Sequence, residues 1–297
     1  MSGASIPYHL RANKAIDRYA FLELLSKIDK YCSISKYKYI GFGGYSLEDF
    51  KYIHSRFGIS NMLSIEKDSE VYNRQKFNQP HNCIDCRQQS SSQFLTEFQR
   101  IEETIIWLDY VEPKELRAQI EEFIATISKL DALDIIKITV NAHPASYVAQ
   151  QDMKQDMKQD MKPKSWELHN ARITKLKKVL GEFFPSADVT ADMMTEKRFA
   201  EALCLVLKYA SNLAMVGRTD IYFQPLTAFS YADGQQMLTV TGIILERTEK
   251  QGFLDKTNID TWELSNIDWK PPRRINVPDL TIKERWEHPD FAKASNG

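Results

Sequence analysis

Between residues 37 and 143, short apolar runs alternate with stretches of helical periodicity, and this alternation restricts the fold more than any other feature of the chain. "YKYIGF", "NMLSIE", "NCIDC", "TIIWLDYV" and "DIIKITVNAH" read as strands. Between them, "LEDFKYIHSRFG" closes at Gly58, "SEVYNRQKFN" stops near Pro80, "SSSQFLTEFQ" opens on serine caps, and "EPKELRAQIEEFIATISKL" is long and amphipathic. Strands separated by helices of this length need crossover connections, so the expected sheet is mostly parallel. Ahead of it, "ANKAIDRYAFLELLSKIDKYC" has the spacing of an amphipathic helix. Behind it come two more helical patterns, "SWELHNARITKLKKVLGEFF" and "EKRFAEALCLVLKYASNLAMV". Two β-like runs then meet at Asp233-Gly234, a hairpin signal, so an antiparallel hairpin ends an otherwise parallel order.

These patterns divide the chain into an N-terminal cap and first helix (1–36), an α/β domain (37–249) with a helical insertion at about 150–215, and an irregular Trp- and Pro-rich tail (250–297). Three tandem Gln-Asp-Met-Lys tetrapeptides fall inside the insertion and read as a surface segment. The net charge of −1 over 297 residues gives no global attraction to nucleic acid or anionic membrane, so any polyanion site must be local. No apolar run is long enough to span a bilayer. Of the four cysteines, Cys83 and Cys86 form a lone C-x-x-C. No second pair or H-x-x-x-H completes a zinc site, so no metal is expected and the pair reads as strand residues. With no disulfide framework or secretory signal, a reducing cytoplasm is the expected location.

In a parallel α/β sheet, ligands sit at the carboxyl ends of the strands, so the residues that end each strand belong together. The first strand ends in Gly41-Phe42-Gly43-Gly44, which lacks the third glycine of G-x-G-x-x-G, with Ser46 in its place. The second ends at Glu66, where a carboxylate suits a ribose diol. The third is read as ending at Asp85-Cys86, where an acid suits an exocyclic amine. The fourth ends in "WLDYVEP", which puts Asp109, Tyr110 and Glu112 beside the reacting end of a ligand held by the first three.

Each feature also has a purely structural explanation. The glycines suit a turn; Glu66, Asp68 and Glu70 suit a helix start; Asp109 or Glu112 suits an N-cap before Pro113. His143 suits a loop before proline, and Arg172, Lys175, Lys177 and Lys178 suit a solvated helix face. The opening "IPYHLRANKAIDR" gathers Tyr8, His9, Arg11, Asn13, Lys14 and Arg18, and fits a cap over the strand ends in which Lys14 or Arg18 reaches a carboxylate or phosphate.

Taken in order, these strand ends resemble the class I S-adenosylmethionine-dependent methyltransferases over about residues 38–247. The resemblance implies a Rossmann-like, mostly parallel sheet with a terminal antiparallel hairpin and helices on both faces. It implies S-adenosylmethionine as cofactor, bound by Gly41, Phe42, Gly43, Gly44, Glu66, Asp85, Cys86 and Asp109. Asp109 and Tyr110 are the expected catalytic residues, with Asp109 as base or orienter of the methyl acceptor. The chain departs from the family's commoner E/D-x-G-x-G-x-G by carrying Tyr39 at the acid position and G-x-G-G spacing, and "DYVEP" is not D/N-P-P-Y. The alternative is a catalytically inactive module of the same fold within a larger complex. A small molecule, a protein or a short nucleic acid all stand as acceptors, and a homo-oligomer or a partner subunit fits either reading.

Overall fold

The computed structural model describes residues 11–148 and 164–278. The tetrapeptide repeats, Tyr8, His9 and Trp286 lie outside the described residues. Helix α1 (Ala12–Ile28) leads into the alternating region: β1 (Lys38–Gly41), α2 (Glu48–Phe57), β2 (Asn61–Glu66), α3 (Ser69–Asn78), β3 (Ile84–Gln88), α4 (Ser91–Glu97), β4 (Thr104–Asp109), α5 (Leu116–Lys129) and β5 (Ile135–Asn141). Helices α6 (Ser165–Leu180) and α7 (Phe199–Ala214) follow, then the hairpin of β6 (Ile221–Asp233) and β7 (Gln235–Glu246). Where an irregular tail was expected, an eight-residue helix α8 (Lys250–Thr257) appears first, and a two-residue strand β8 (Arg273–Arg274) later pairs with β6.

The eight strands form one sheet in the order β3-β2-β1-β4-β5-β7-β6-β8. Strands β1 to β5 pair with one another in parallel, while β7 is antiparallel to both β5 and β6. Because side chains alternate across a strand, adjacent residues enter different layers. Tyr39, Met62, Ile105, Trp107 and Ile135 pack with α1, α2 and α8. Their neighbours Ile40, Leu63, Ile106, Leu108 and Ile136 pack with α4, α5, α6 and α7. Near-continuous apolar strands are what two covered faces require.

Helix α1 crosses this pattern. It buries Phe21, Leu24, Leu25 and Ile28, yet also Lys14, Asp17 and Arg18. Its N-terminus is capped from far along the chain: the Asn13 and Lys14 amides donate to Asp233 at 3.2 and 2.8 Å. Arg172 is likewise no solvated residue. It is buried in α6 and donates to the carbonyls of Val148 (3.2 Å) and Met194 (2.8 Å), whereas Lys175, Lys177 and Lys178 are exposed.

Candidate functional site

The switch point of the sheet lies between β1 and β4, where successive connections depart in opposite directions. A cavity of about 340 Å³ opens there, within the size range of small-molecule sites. Phe42, Gly44 and Tyr45 after β1, Glu66 at the end of β2, Gln89 after β3, and Asp109 and Tyr110 at the end of β4 line it. Arg11 and Lys14 reach it from the start of α1, and Gln119 and Glu122 from α5.

The glycine loop divides into two roles. Gly44 lines the cavity and adopts a positive φ of 50°, which a side chain disfavours. Gly43 does not line it: a Cβ there would overlap Leu47 and lie 2.7 Å from Ser64 Oγ and 2.9 Å from a Phe50 ring carbon. Gly43 therefore lets the loop pack down onto α2 and β2. Gly41 is the last residue of β1, paired with Ser64 and Trp107, and is also absent from the lining. Phe42 turns into the cavity, where its ring meets Tyr110 edge-on at 5.5 Å.

Glu66 accepts a hydrogen bond from the Asp68 amide at 2.8 Å, and burial holds its carboxyl above the ordinary glutamate range. Asp68, not Glu66, caps α3, accepting from the Glu70 and Val71 amides at 2.9 and 3.0 Å. This leaves Glu66 with acceptor capacity toward the cavity.

Two expected residues lie elsewhere. Strand β3 runs two residues beyond Cys86, with Gln88 opposite Glu66, so Asp85 pairs with Leu63 in mid-strand. Asp85 is exposed and bonded to Arg87 at 2.7 Å, while Cys86 is buried against the α1 and α2 layer. The residue that occupies the end of β3 is Gln89, whose Nε2 is buried without a hydrogen-bond partner. One sequence signal marked it. Ser90 and Gln93 form a capping box, and S-x-x-Q fixes the helix start, so Gln89 must be the last residue of the preceding turn.

At the end of β4, Glu112 caps the 3₁₀ turn Pro113–Glu115 by accepting from the Lys114 amide at 3.2 Å. Asp109 is thereby released from the capping role. Its Oδ2 pairs with Lys14, and its Oδ1 is buried with no partner. Tyr110 is engaged differently: its hydroxyl donates to Glu122, and burial, then the Glu122 charge, push its pKa well above the ordinary tyrosine value. The phenol stays protonated and occupied, which argues against Tyr110 as a base. His143 lies two residues past the end of β5 and is absent from the cavity lining, its amide donating to Asn141 Oδ1 at 3.0 Å.

Helix α1 is tied to three elements by three ion pairs. Lys14 pairs with Asp109 of β4, Asp17 with Lys137 of β5 at 2.8 Å, and Arg18 with Asp49 of α2. Spacings of three and four residues put all three on one helix face. The Lys137 ammonium also lies 4.8 Å from the Phe21 ring centre and 4.2 Å from that of Trp107. Burial raises the Asp17 carboxyl and lowers the Lys137 ammonium, while their mutual attraction opposes both shifts. Lys14 and Arg18 thus each meet a carboxylate of the chain itself, on β4 and on α2. Among the described residues, no group of three or more His, Cys, Asp or Glu is placed to hold a metal ion, and no helix is long and apolar enough to cross a membrane.

The strand order with β7 inverted beside β5, and a cavity at the switch point, are now joined by a family match: the model described as "Putative O-methyltransferase" covers residues 6–288. The chain belongs to this family. No curated protein matches this O-methyltransferase family member in sequence. Solved structures are similar to it at low identity. The Pyrococcus horikoshii protein PH0793 is 11% identical over 75% of this chain, with a TM-score of 0.40. The present chain spans only 62% of that protein. The O-methyltransferase TomG from Streptomyces achromogenes, solved with S-adenosylmethionine, is 8% identical over 76% of this chain and 78% of its own, with a TM-score of 0.39. The N-methyltransferase NodS from Bradyrhizobium japonicum is 8% identical over 77% of this chain and 97% of its own, also at 0.39.

Proposed function

We propose that the protein binds S-adenosylmethionine in the cavity at the ends of β1, β2 and β4 and catalyses methyl transfer to an oxygen nucleophile. The observation that carries this reading is a pair of unsatisfied polar atoms on two residues that line the cavity. Gln89 Nε2 and Asp109 Oδ1 are buried and unpartnered, and both residues line the same cavity as Gly44 and Glu66. Buried polar atoms normally have partners, so donor and acceptor left open in one apolar-walled cavity fit a polar ligand. The cofactor fits this set: Glu66 accepts from the two ribose hydroxyls, Gln89 donates to a ring nitrogen of adenine, and Gly44 allows close backbone approach.

When bound, the cofactor supplies a methyl group on a positively charged sulfur. The chain supplies alignment, which is the main requirement of an in-line displacement. Phe42 and Tyr110 form an apolar wall that keeps water from the reacting end, and α1 covers it. Family membership favours oxygen as the accepting atom; small molecules, protein side chains and short nucleic acids remain the candidate carriers of that oxygen.

Calorimetric titration of the full chain with S-adenosylmethionine, repeated with Glu66→Ala, tests the reading. Saturable binding is expected in the wild type, and a loss of at least about tenfold in the variant, equivalent to about 1.4 kcal/mol, because a charge-assisted pair of hydrogen bonds is removed. Absence of binding by folded wild-type protein rejects it.

A further inference from the structure

Four buried side-chain oxygens without partners belong to the layer between α1 and the sheet: Asp17 Oδ2 on α1, Asp109 Oδ1 on β4, Thr239 Oγ1 on β7 and the Tyr231 hydroxyl on β6. The register brings the three strand residues to one face. Asp109 pairs with Thr139 and Thr139 with Thr239, while Tyr231 lies two past Phe229, which pairs with Thr239; paired and alternate residues share a face. Lys137, two before Thr139, is on this face as well, 1% exposed, and its ammonium bonds Asp17 Oδ1 at 2.8 Å, which holds Asp17 over the same layer. Burial pushes the Tyr231 phenol well above its ordinary value, with Lys14 and Arg18 lowering it and Asp17 and Asp109 raising it further, so it stays an O–H donor. The set thus holds two hydroxyl donors and two carboxylate acceptors, none bonded to another.

We propose that buried waters join these four groups into a proton path, which leads from Asp109 on the cavity wall to the Asp17–Lys137 pair under α1. Only the source of the proton rests on reading the cavity as a methyl-transfer site. Buried waters bind about three otherwise unsatisfied polar groups each. Thr239 stands two strands from Asp109, roughly 10 Å at ordinary strand spacing, a gap that water bridges and a direct side-chain bond does not. Of the four residues, Asp109 alone also lines the cavity. Its Oδ1 has lone pairs for both sides, one toward the acceptor and one toward the waters behind it. As the acceptor's oxygen bonds to the methyl carbon, the carbon–sulfur bond breaks with its electron pair left on sulfur, and Asp109 Oδ1 takes the proton that the oxygen sheds. The waters pass a proton on to Asp17 Oδ2, which restores the Asp109 carboxylate. Burial raises the Asp17 carboxyl against the attraction of Lys137 and Lys14, so Asp17 holds a proton more readily than an exposed aspartate.

Proton exchange at the Lys137 ammonium, read by heteronuclear NMR on the full chain without ligand, tests the path. In the wild type this ammonium should be protected from solvent exchange far less than the backbone amides of α1 and β5, because protons reach it without α1 opening. Asp109→Asn removes the group that passes the proton and should slow the exchange at least about tenfold, given that a positioned acid–base group supplies roughly a hundredfold or more. Tyr231→Phe and Thr239→Val should each slow it too, with the α1 amides unchanged. A merely structural role predicts the reverse, since loosening α1 speeds exchange at both the ammonium and the amides. Unchanged or faster ammonium exchange in the variants, or a wild-type ammonium as protected as the α1 amides, overturns the path. Where Asp109→Asn does not fold, Tyr231→Phe and Thr239→Val decide. The S-adenosylmethionine titration is independent of this one: absent binding together with slowed exchange in the variants rejects the cofactor reading and leaves the path standing.

Discussion

Single residues in the cavity show how burial turns an ordinary side chain into a specific one. Burial holds the Glu66 carboxyl above its usual range, so its carboxylate is lost at a higher pH than an exposed glutamate's. Cofactor affinity should therefore weaken as pH falls through that raised value, and Glu66→Gln should remove this acid limb, as titrations at a series of pH values will read. For stability the sign is reversed: the folded state binds the proton more tightly, so stability falls as pH rises from the ordinary glutamate value to the raised one. Tyr110 illustrates the opposite outcome. Its hydroxyl is committed to Glu122, so Tyr110→Phe should cost about 0.5–1.5 kcal/mol in urea unfolding and leave cofactor affinity intact. A large loss of binding in that variant would give the Tyr110 hydroxyl a role in holding the cofactor. Asp85 and Gln89 show how a two-residue error in a strand end exchanges an exposed ion pair for a cavity residue, because the side chains that face a ligand are those just past the last ladder bond.

At the scale of elements, α1 is the part whose behaviour its own sequence describes least. Its apolar spacing announced a helix, but nothing local revealed that the face carrying Lys14, Asp17 and Arg18 turns inward. The cap on its first turn is Asp233, about 220 positions away at the hairpin between β6 and β7. Asp233→Ala should destabilise the protein by about 1–2 kcal/mol, as loss of a helix cap does. It should also weaken S-adenosylmethionine binding, since the Lys14 backbone is anchored by the same carboxylate. If calorimetry finds binding unchanged while stability drops, the start of α1 does not help to form the site. The tail belongs to this linkage too: the Val277 amide donates to Asn13 Oδ1 at 2.7 Å, so three distant segments meet where α1 begins.

For the whole molecule, the buried Asp17–Lys137 pair joins the first helix to the middle of the sheet. Asp17→Ala strands a charge under α1 and should cost about 3–5 kcal/mol, whereas Asp17→Leu combined with Lys137→Met removes both charges and should cost much less. Equal costs in denaturant unfolding would mean that the helix, not the pair, carries the effect. The alternation of strands and helices, the terminal hairpin and the positions of Glu66 and Asp109 were all legible in the chain, because local periodicity and the rule that ligands gather at strand ends act over short distances. The outer bounds of β3, the split of Gly43 and Gly44 into packing and cavity roles, and the occupation of Tyr110 by Glu122 depend on neighbours brought together only by folding. The same holds for α1: which charges it buries, and which partners they find on β4, β5 and α2, is decided by tertiary packing, since a charged helix face is stable in water or in a matched interior and its sequence alone does not choose between them.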